Sequence, residues 1–275
     1  MPELPEVETI VRGLDREISG KTIEKITVFD EELLRNVDTS ELKRELEGEE
    51  LTAVRRKGKY ILLEIGGDRL LAIHLRMTGK LLLREKGEET EYQRITFVFR
   101  KNGQLIMDNM RRFGTLDLLS DEGQEPLASL GIEPFTDSYC WEDFRELFET
   151  TQPLKLTLLD QKKITGLGNI YANEALFRAG LNPLIPGEDA SESGLEKLYE
   201  TIPKVLEEAI EQNGTTFSTF RDSSGDSGNF QNFLDVYQKE GEYCPRCGTE
   251  IIKVDQSGRG TYYCPTCQEE TEEDD

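Results

Sequence analysis

The sequence predicts an α+β fold in several modules: an N-terminal antiparallel β-sandwich with flanking helices, a helical region, and a C-terminal zinc ribbon ending in a β-hairpin. Three observations carry this expectation. Between residues 60 and 119, short runs rich in Leu, Ile, Val and Phe are separated by Gly, Asp or Asn turns with no helices between them, which favours antiparallel pairing. After a Gly-, Pro- and Glu-marked linker between Asp121 and Phe135, the apolar period becomes helical. Four of the five cysteines fall in the last 32 residues as C-x2-C-x16-C-x2-C.

Taken in order, Val7, Ile10, Val11, Leu14 and Ile18 form the buried stripe of a first helix that ends near Gly20. Residues 21–30 read as a strand and 41–47 as a short helix. Strands are expected at 60–65, 70–74, 94–99, 104–107 and 115–119, the first of them opened by the cationic run Arg55-Arg56-Lys57-Gly58-Lys59. Helices follow at 141–149 and around 155–160, and a third is entered through Gly166-Leu-Gly168-Asn169 and closes at Gly180. Glycines at a helix start let backbone N–H groups approach a phosphate. Ser193-x-x-Glu196 reads as a capping box for a further helix, which Pro203 should kink or restart and which Asn213-Gly-Thr-Thr216 ends. Residues 221–228 have loop composition. The expected domains are 1–132, 133–232 and a zinc finger over 233–269, followed by an acidic tail at 270–275.

Composition points in two directions. With 33 basic and 55 acidic residues the net charge is −22, whereas a nucleic-acid partner normally demands a basic footprint. A dispersed acidic surface also suits concentrated salt, where the screening length falls to about 3 Å at 1 M. Composition does not separate a DNA enzyme in a salty cytoplasm from a protein with no DNA partner. No run of some 18 apolar residues and no signal-peptide pattern occurs, so a cytoplasmic protein is expected, with Cys140 a reduced, partly buried thiol.

Two stretches carry chemistry. Cys244, Cys247, Cys264 and Cys267 have the spacing of two knuckles around one tetrahedral, structural Zn2+. The opening Met1-Pro2-Glu3-Leu4-Pro5-Glu6 offers a secondary amine at Pro2 once Met1 is removed, beside the carboxylates Glu3 and Glu6. An α-amine titrates near 7.7–8.0, so it is partly nucleophilic at neutral pH, and its attack on a sugar carbon yields an iminium that favours elimination. Glu3 and Glu6 could move protons. The competing reading is that Pro2 and Pro5 only stiffen the entry to the first helix.

The opening MPELPEVET resembles the N-terminus of the formamidopyrimidine-DNA glycosylase family, enzymes that excise oxidised purines and cut the strand. Four further motifs follow in that family's order: Lys59-Tyr60, His74-Leu-Arg-Met77, Arg111-Arg112-Phe113-Gly114, and Lys155 with Gly166-Leu-Gly168-Asn169, before the zinc cysteines. The resemblance implies a helix-two-turn-helix module in the helical region. It implies Pro2 as nucleophile at C1′, Glu3 as proton donor to the ring oxygen, and Glu6 positioning water or a proton. Lys59 becomes proton donor and phosphate contact, and Arg259 at the hairpin tip assists the second elimination. Met77 fills the gap left by the extruded base, Arg111 faces the orphaned base, Phe113 unstacks the step, and Lys155 and Asn169 meet phosphates. Tyr92 stands where relatives often carry a DNA-contacting histidine, Asn109-Met110 replaces a common Asp-Pro, and Asp226 or Ser227 falls where a lysine is frequent in the loop that closes over the flipped base. The implied partner is damaged double-stranded DNA, bound by a monomer in the nucleoid of a prokaryote with a high-salt cytoplasm and with no membrane attachment. Two alternatives stay open: an endonuclease VIII-type enzyme for oxidised pyrimidines, against which Leu4 speaks, and a non-catalytic zinc-ribbon DNA-binding protein.

Overall fold

The computed structural model describes residues 1–101, 103–217 and 220–269; the acidic run 270–275 lies outside the described residues. Two compact units result, one of Met1–Ala128 with Ile210–Gln231, the other of Ser129–Ala209 with the chain from Asn232 onward.

The first unit begins with helix α1 (Leu4–Ile18), whose Leu4, Val7, Ile10, Val11, Leu14 and Ile18 are all buried. Eight antiparallel strands follow: β1 (Lys21–Val28), β2 (Glu50–Lys57), β3 (Tyr60–Ile65), β4 (Arg69–His74), β5 (Gly79–Arg84), β6 (Gln93–Phe99), β7 (Gln104–Asn109) and β8 (Thr115–Leu119), with helix α2 (Thr39–Leu46) between β1 and β2. Their order across the sheet is β5-β7-β6-β1-β2-β3-β4-β8. The two halves of the expected sandwich meet in β1, because Lys21 and Thr22 pair with β2 while Ile23 to Val28 pair with β6. Where β1 leaves β2, the Glu47 carboxylate takes the Ile26 N–H at 2.8 Å, replacing a strand partner. One apolar cluster joins both halves and α1, with Ile10, Leu14, Ile26, Ile61, Leu71, Phe97 and Met107 among its members. A core of this kind is the main stabilising term of the unit, about 25 cal/mol for each Å2 of apolar surface withdrawn from water.

Two strands escape the expectation. β2 alternates only weakly and ends in three cations, and β5 opens on Gly79 before three consecutive leucines. The cationic run therefore closes β2 and forms the turn into β3, with Gly58 at φ +57°, instead of opening a strand. It is not a continuous basic patch either. Arg55 pairs with Glu64 and Glu122, Lys57 with Glu122, and the nearly buried Arg56 with Glu8 at 2.8 Å.

The second unit holds α3 (Trp141–Glu146), α4 (Leu154–Leu159), α5 (Asn169–Ala179), most of α6 (Glu192–Glu211), and the hairpin of β9 (Ile252–Gln256) and β10 (Arg259–Tyr263). α5 closes as expected on Gly180 at φ +79°. α6 is capped two residues earlier than the Ser193 box: Ser191 Oγ takes the Gly194 N–H at 3.1 Å. It also runs unbroken through Pro203. A helical proline leaves the carbonyl four residues back without its N–H. Here that carbonyl, of Tyr199, accepts from the Tyr139 hydroxyl at 2.9 Å, so the bond is replaced from outside the helix. No helix among the described residues is long and apolar enough to cross a membrane.

Candidate active site and nucleic-acid interface

The start of the chain is folded into the first unit. Pro2, Glu3 and Glu6 are buried, and Pro2 lies just ahead of the positive end of α1. Glu6 holds the turn together: Oε2 takes the Glu3 N–H at 2.8 Å and Oε1 takes the Thr215 N–H at 2.7 Å. At Gly214, φ is +77° and an added Cβ would come within 2.8 Å of Glu6 Oε1, so a glycine is required there. Glu6 was expected to handle water or a proton. Each of its oxygens accepts a backbone N–H, which ties the N-terminus to residues 214–215.

Lys59 is nearly buried in the β2–β3 turn. Tyr60 and His74 face each other across β3 and β4, their rings edge to face at 4.7 Å. Burial, then the charges of Arg76 and Lys59, push the His74 imidazole down to about 3. Its Nδ1 accepts the Arg76 N–H at 3.0 Å, which places the ring proton on Nε2 and stabilises Arg76 at φ +54°. The sequence offered His74 only as a lone histidine unable to build a metal site; its cross-strand place next to a strained turn was the missing signal.

That turn presents Met77, 40% exposed, and the β7–β8 loop presents Phe113, 53% exposed, with Met110 also in solvent. The Arg111 guanidinium reaches the Met77 sulfur at 3.6 Å. Arg112, at φ +59°, makes a bidentate pair with the buried Asp30, Nη2 to Oδ1 at 2.8 Å. Asp30 is held below the usual carboxylate range, chiefly by the Arg112 hydrogen bond. Tyr92 is half-buried; its backbone bonds Asp108 and Asn109 at the end of β7.

In the second unit, Lys155 is fully buried. Its Nζ donates to the Gly260 carbonyl at 2.9 Å and to Thr261 Oγ1 at 2.7 Å, and Asn169 Nδ2 donates to the same carbonyl at 3.0 Å. Both residues were expected to meet phosphates; in this structure their polar ends hold the zinc hairpin beside Arg259, which is itself exposed. The Ser257-Gly258 turn, with φ +55° and +73°, gives the hairpin its tight connection.

The Sγ atoms of Cys244, Cys247, Cys264 and Cys267 all lie within 4.8 Å of one another, with Cys244 to Cys267 at 3.8 Å. Ligands 2.3 Å from a tetrahedral zinc are about 3.8 Å apart, so the four thiols fit the ion. The ribbon is fastened to α5 at four levels. Asn173 Oδ1 takes the Tyr262 N–H at 2.7 Å, and the Glu174 carboxylate takes the N–H groups of Asp235, Val236 and Tyr237. The knuckle residue Arg246 stacks on the Phe177 ring at 4.5 Å and donates to the Phe177 and Arg178 carbonyls, capping the helix end. Burial raises the Glu174 carboxyl, against the three N–H donors. Neither Glu174 nor Arg246 carried a signal in the sequence beyond lying inside a motif.

Residues 1–116 match the formamidopyrimidine-DNA glycosylase N-terminal domain, 130–221 the formamidopyrimidine-DNA glycosylase H2TH domain, and 241–269 the zinc finger found in FPG and IleRS. The chain belongs to the formamidopyrimidine-DNA glycosylase family. A formamidopyrimidine-DNA glycosylase of Exiguobacterium sp. is 40% identical over 98% of this chain and 100% of its own, and one of Carboxydothermus hydrogenoformans is 39% identical with the same coverage. Among solved structures, a Lactococcus lactis family member bound to Fapy-dG-containing DNA superposes with a TM-score of 0.91 at 38% identity, covering 98% of this chain and 100% of that one. The Lactococcus lactis protein bound to DNA with an abasic site gives 0.91 at 38% identity, covering 97% and 99%.

Proposed function

We propose that this chain is a base-excision-repair DNA glycosylase and AP lyase that removes oxidised purines, 8-oxoguanine and formamidopyrimidines, from duplex DNA and then cuts the strand. The observation that carries this reading is that the family likeness spans the whole described chain, including the Pro2 terminus ahead of α1. In the proposed reaction the Pro2 nitrogen, freed of Met1, attacks C1′ while the glycosidic bond to the lesion base breaks, and Glu3 supplies a proton to the ring oxygen. The positive end of α1 disfavours a protonated amine and so supports its nucleophilicity. The resulting iminium acidifies C2′–H; loss of that proton breaks the C3′–O bond, and a second elimination breaks the C5′–O bond, leaving a one-nucleoside gap. Lys59 serves as proton donor and Arg259 assists the second step. Met77, Arg111 and Phe113 act at the gap in the stack, with Tyr92 and Asn169 at the DNA backbone. Glu6 and Lys155 act through what they hold, the N-terminus and the hairpin. One zinc, bound by the four cysteines, supplies folding energy to the ribbon.

The finer setting we infer is the nucleoid of a prokaryote with a high-salt cytoplasm. The support is the net charge of −22, together with cations paired to carboxylates of the chain, such as Arg56 with Glu8 and Arg112 with Asp30. Phosphate contacts alone weaken with salt, by about −0.9 per neutralised phosphate. Repulsion from a dispersed acidic surface acts over longer range and is screened first.

The test is incubation with duplexes carrying 8-oxoguanine, formamidopyrimidine or thymine glycol in the presence of borohydride. A covalent adduct with the purine lesions is expected; trapping on thymine glycol alone would assign the chain to oxidised pyrimidines, and no adduct would leave a binding protein. Repeating the single-turnover reaction from low to several molar KCl should show activity rising to a few tenths molar and then holding level. A steady fall from the lowest salt, with the protein folded, would remove the high-salt setting and leave the reaction intact.

A further inference from the structure

Between the two exposed loops of the first unit lies a buried polar contact with no role so far. Thr78 follows Met77, and Asn109 ends β7 just before Met110 and Arg111. Thr78 is almost enclosed and Asn109 completely so. The Thr78 hydroxyl accepts the Arg111 N–H at 3.2 Å and donates toward Asn109 Oδ1 at 3.4 Å. It therefore bonds the entry of the loop that carries Arg111 and Phe113 at two points, from a position next to Met77. The Asn109 backbone is fixed as well: its N–H donates to the Tyr92 carbonyl at 2.9 Å, and its carbonyl accepts from Arg94 Nε at 3.0 Å.

The space around the Asn109 amide is kept open by one glycine from each loop. A Cβ at Gly79 would lie 3.1 Å from Asn109 Nδ2, and a Cβ at Gly114 would collide with it. Among the described residues, Nδ2 is a buried donor with no hydrogen-bond partner. An unmet buried donor is destabilising, by about 1–3 kcal/mol, so the core alone gives no reason to keep a polar group here. What the pair does accomplish is geometric: it fixes the Met77 turn and the Arg111–Phe113 loop to each other.

We propose that Thr78 and Asn109 are positioning residues that lock the two loops into one preformed wedge, so that Met77, Arg111 and Phe113 enter the base stack together during extrusion of the damaged base. This rests on the proposed reading of the chain as a glycosylase. A preformed wedge spends no entropy on aligning its parts at the moment of unstacking, so the lock matters most when a stacked, paired base must be displaced. It matters least at an abasic site, which has no base to unstack.

The experiment compares wild type, Thr78→Val and Thr78→Ser on two duplexes, one with 8-oxoguanine and one with a preformed abasic site, under single-turnover conditions. Rates are normalised to the fraction of protein trapped by borohydride on the abasic duplex, so loss of folded protein cannot imitate the effect. Thr78→Val should slow 8-oxoguanine excision about tenfold or more while abasic-site cleavage stays within about threefold of wild type, and Thr78→Ser, which keeps the hydroxyl, should restore excision. Asn109→Ala, which removes the acceptor from the other side, should show the same selective loss. Unchanged excision in both Thr78→Val and Asn109→Ala, or equal losses on the two duplexes, would overturn the proposal. Failure of wild type itself to trap on either duplex would instead overturn the glycosylase reading on which it rests.

Discussion

The two compact units hold their exposed candidate side chains by different means. In the first, the loops bearing Met77, Arg111 and Phe113 leave the ends of strands whose buried residues form a continuous apolar core. Short polar contacts then set loop geometry, as in the Arg112–Asp30 pair and the His74 to Arg76 bond. In the second, Arg259 sits on a two-stranded hairpin that pairs only with itself and has little core of its own: Phe177, Val236, Cys244, Ile251 and Cys264. Small modules of that kind need a staple, and here the staple is four thiols plus a row of hydrogen bonds to α5. Both units hold non-glycine residues at positive φ, Arg76 and Arg112 in the first and Ser257 in the hairpin turn; what differs is that the loops stand on a large core, whereas the hairpin depends on its fastenings.

The largest expected effect lies in the first unit and leaves its fold intact. Pro2→Gly should lose most glycosylase activity, because a primary amine is a poorer match to the iminium chemistry, while the melting temperature stays near that of wild type. Mass spectrometry of the borohydride-trapped peptide should place the adduct on residue 2; an adduct on Lys59 would reverse the roles.

Removal of zinc reverses the pattern. A strong chelator should melt the ribbon and lower duplex affinity at least tenfold, since metal binding supplies the folding free energy of such modules. Exchange protection of β3, β4 and α1 should survive. Full affinity in metal-free protein would show that the row of bonds from Asn173, Glu174 and Arg246 suffices alone.

A smaller effect should appear with pH. The folded His74 imidazole is held near 3 against about 6.5 in the unfolded chain, so folding favours the neutral form. Its contribution is complete above pH 6.5 and declines as pH falls from 6.5 toward 3, by roughly 1.4 kcal/mol per pH unit while only the unfolded state takes the proton. His74 is the chain's only histidine, and since buried carboxyls such as Glu174 are also raised, the difference between wild type and His74→Gln in urea unfolding between pH 5 and 6.5 isolates its share. His74→Gln should flatten that slope; a slope that persists would place the proton uptake elsewhere.

Much of this arrangement was legible in the residues. β3 and β8 have the limits their apolar runs predict, and α5 ends on the glycine that marks its close. Local pattern failed where tertiary partners decide. Charge hid β2, because its cations find carboxylates on neighbouring elements, and Pro203 breaks nothing because Tyr139 lies 64 positions earlier in the chain, beyond any local window. The motifs located the right stretches but not the duty of every member. Glu6 and Lys155 look like reactive or DNA-facing groups in a sequence, and only the fold shows that each also fastens backbone from a distant part of the chain.

The carbonyl of Tyr199 makes two distant positions of the helical unit depend on each other. Proline at 203 vacates an acceptor and the Tyr139 hydroxyl occupies it. Replacing Pro203 by an ordinary helix former would restore an internal N–H for this carbonyl, whose second lone pair can still take the hydroxyl, whereas losing the hydroxyl while keeping the proline would strand it. Tyr139→Phe should therefore cost more stability beside Pro203 than beside a helix former at 203, a non-additivity that a double-mutant cycle reads directly.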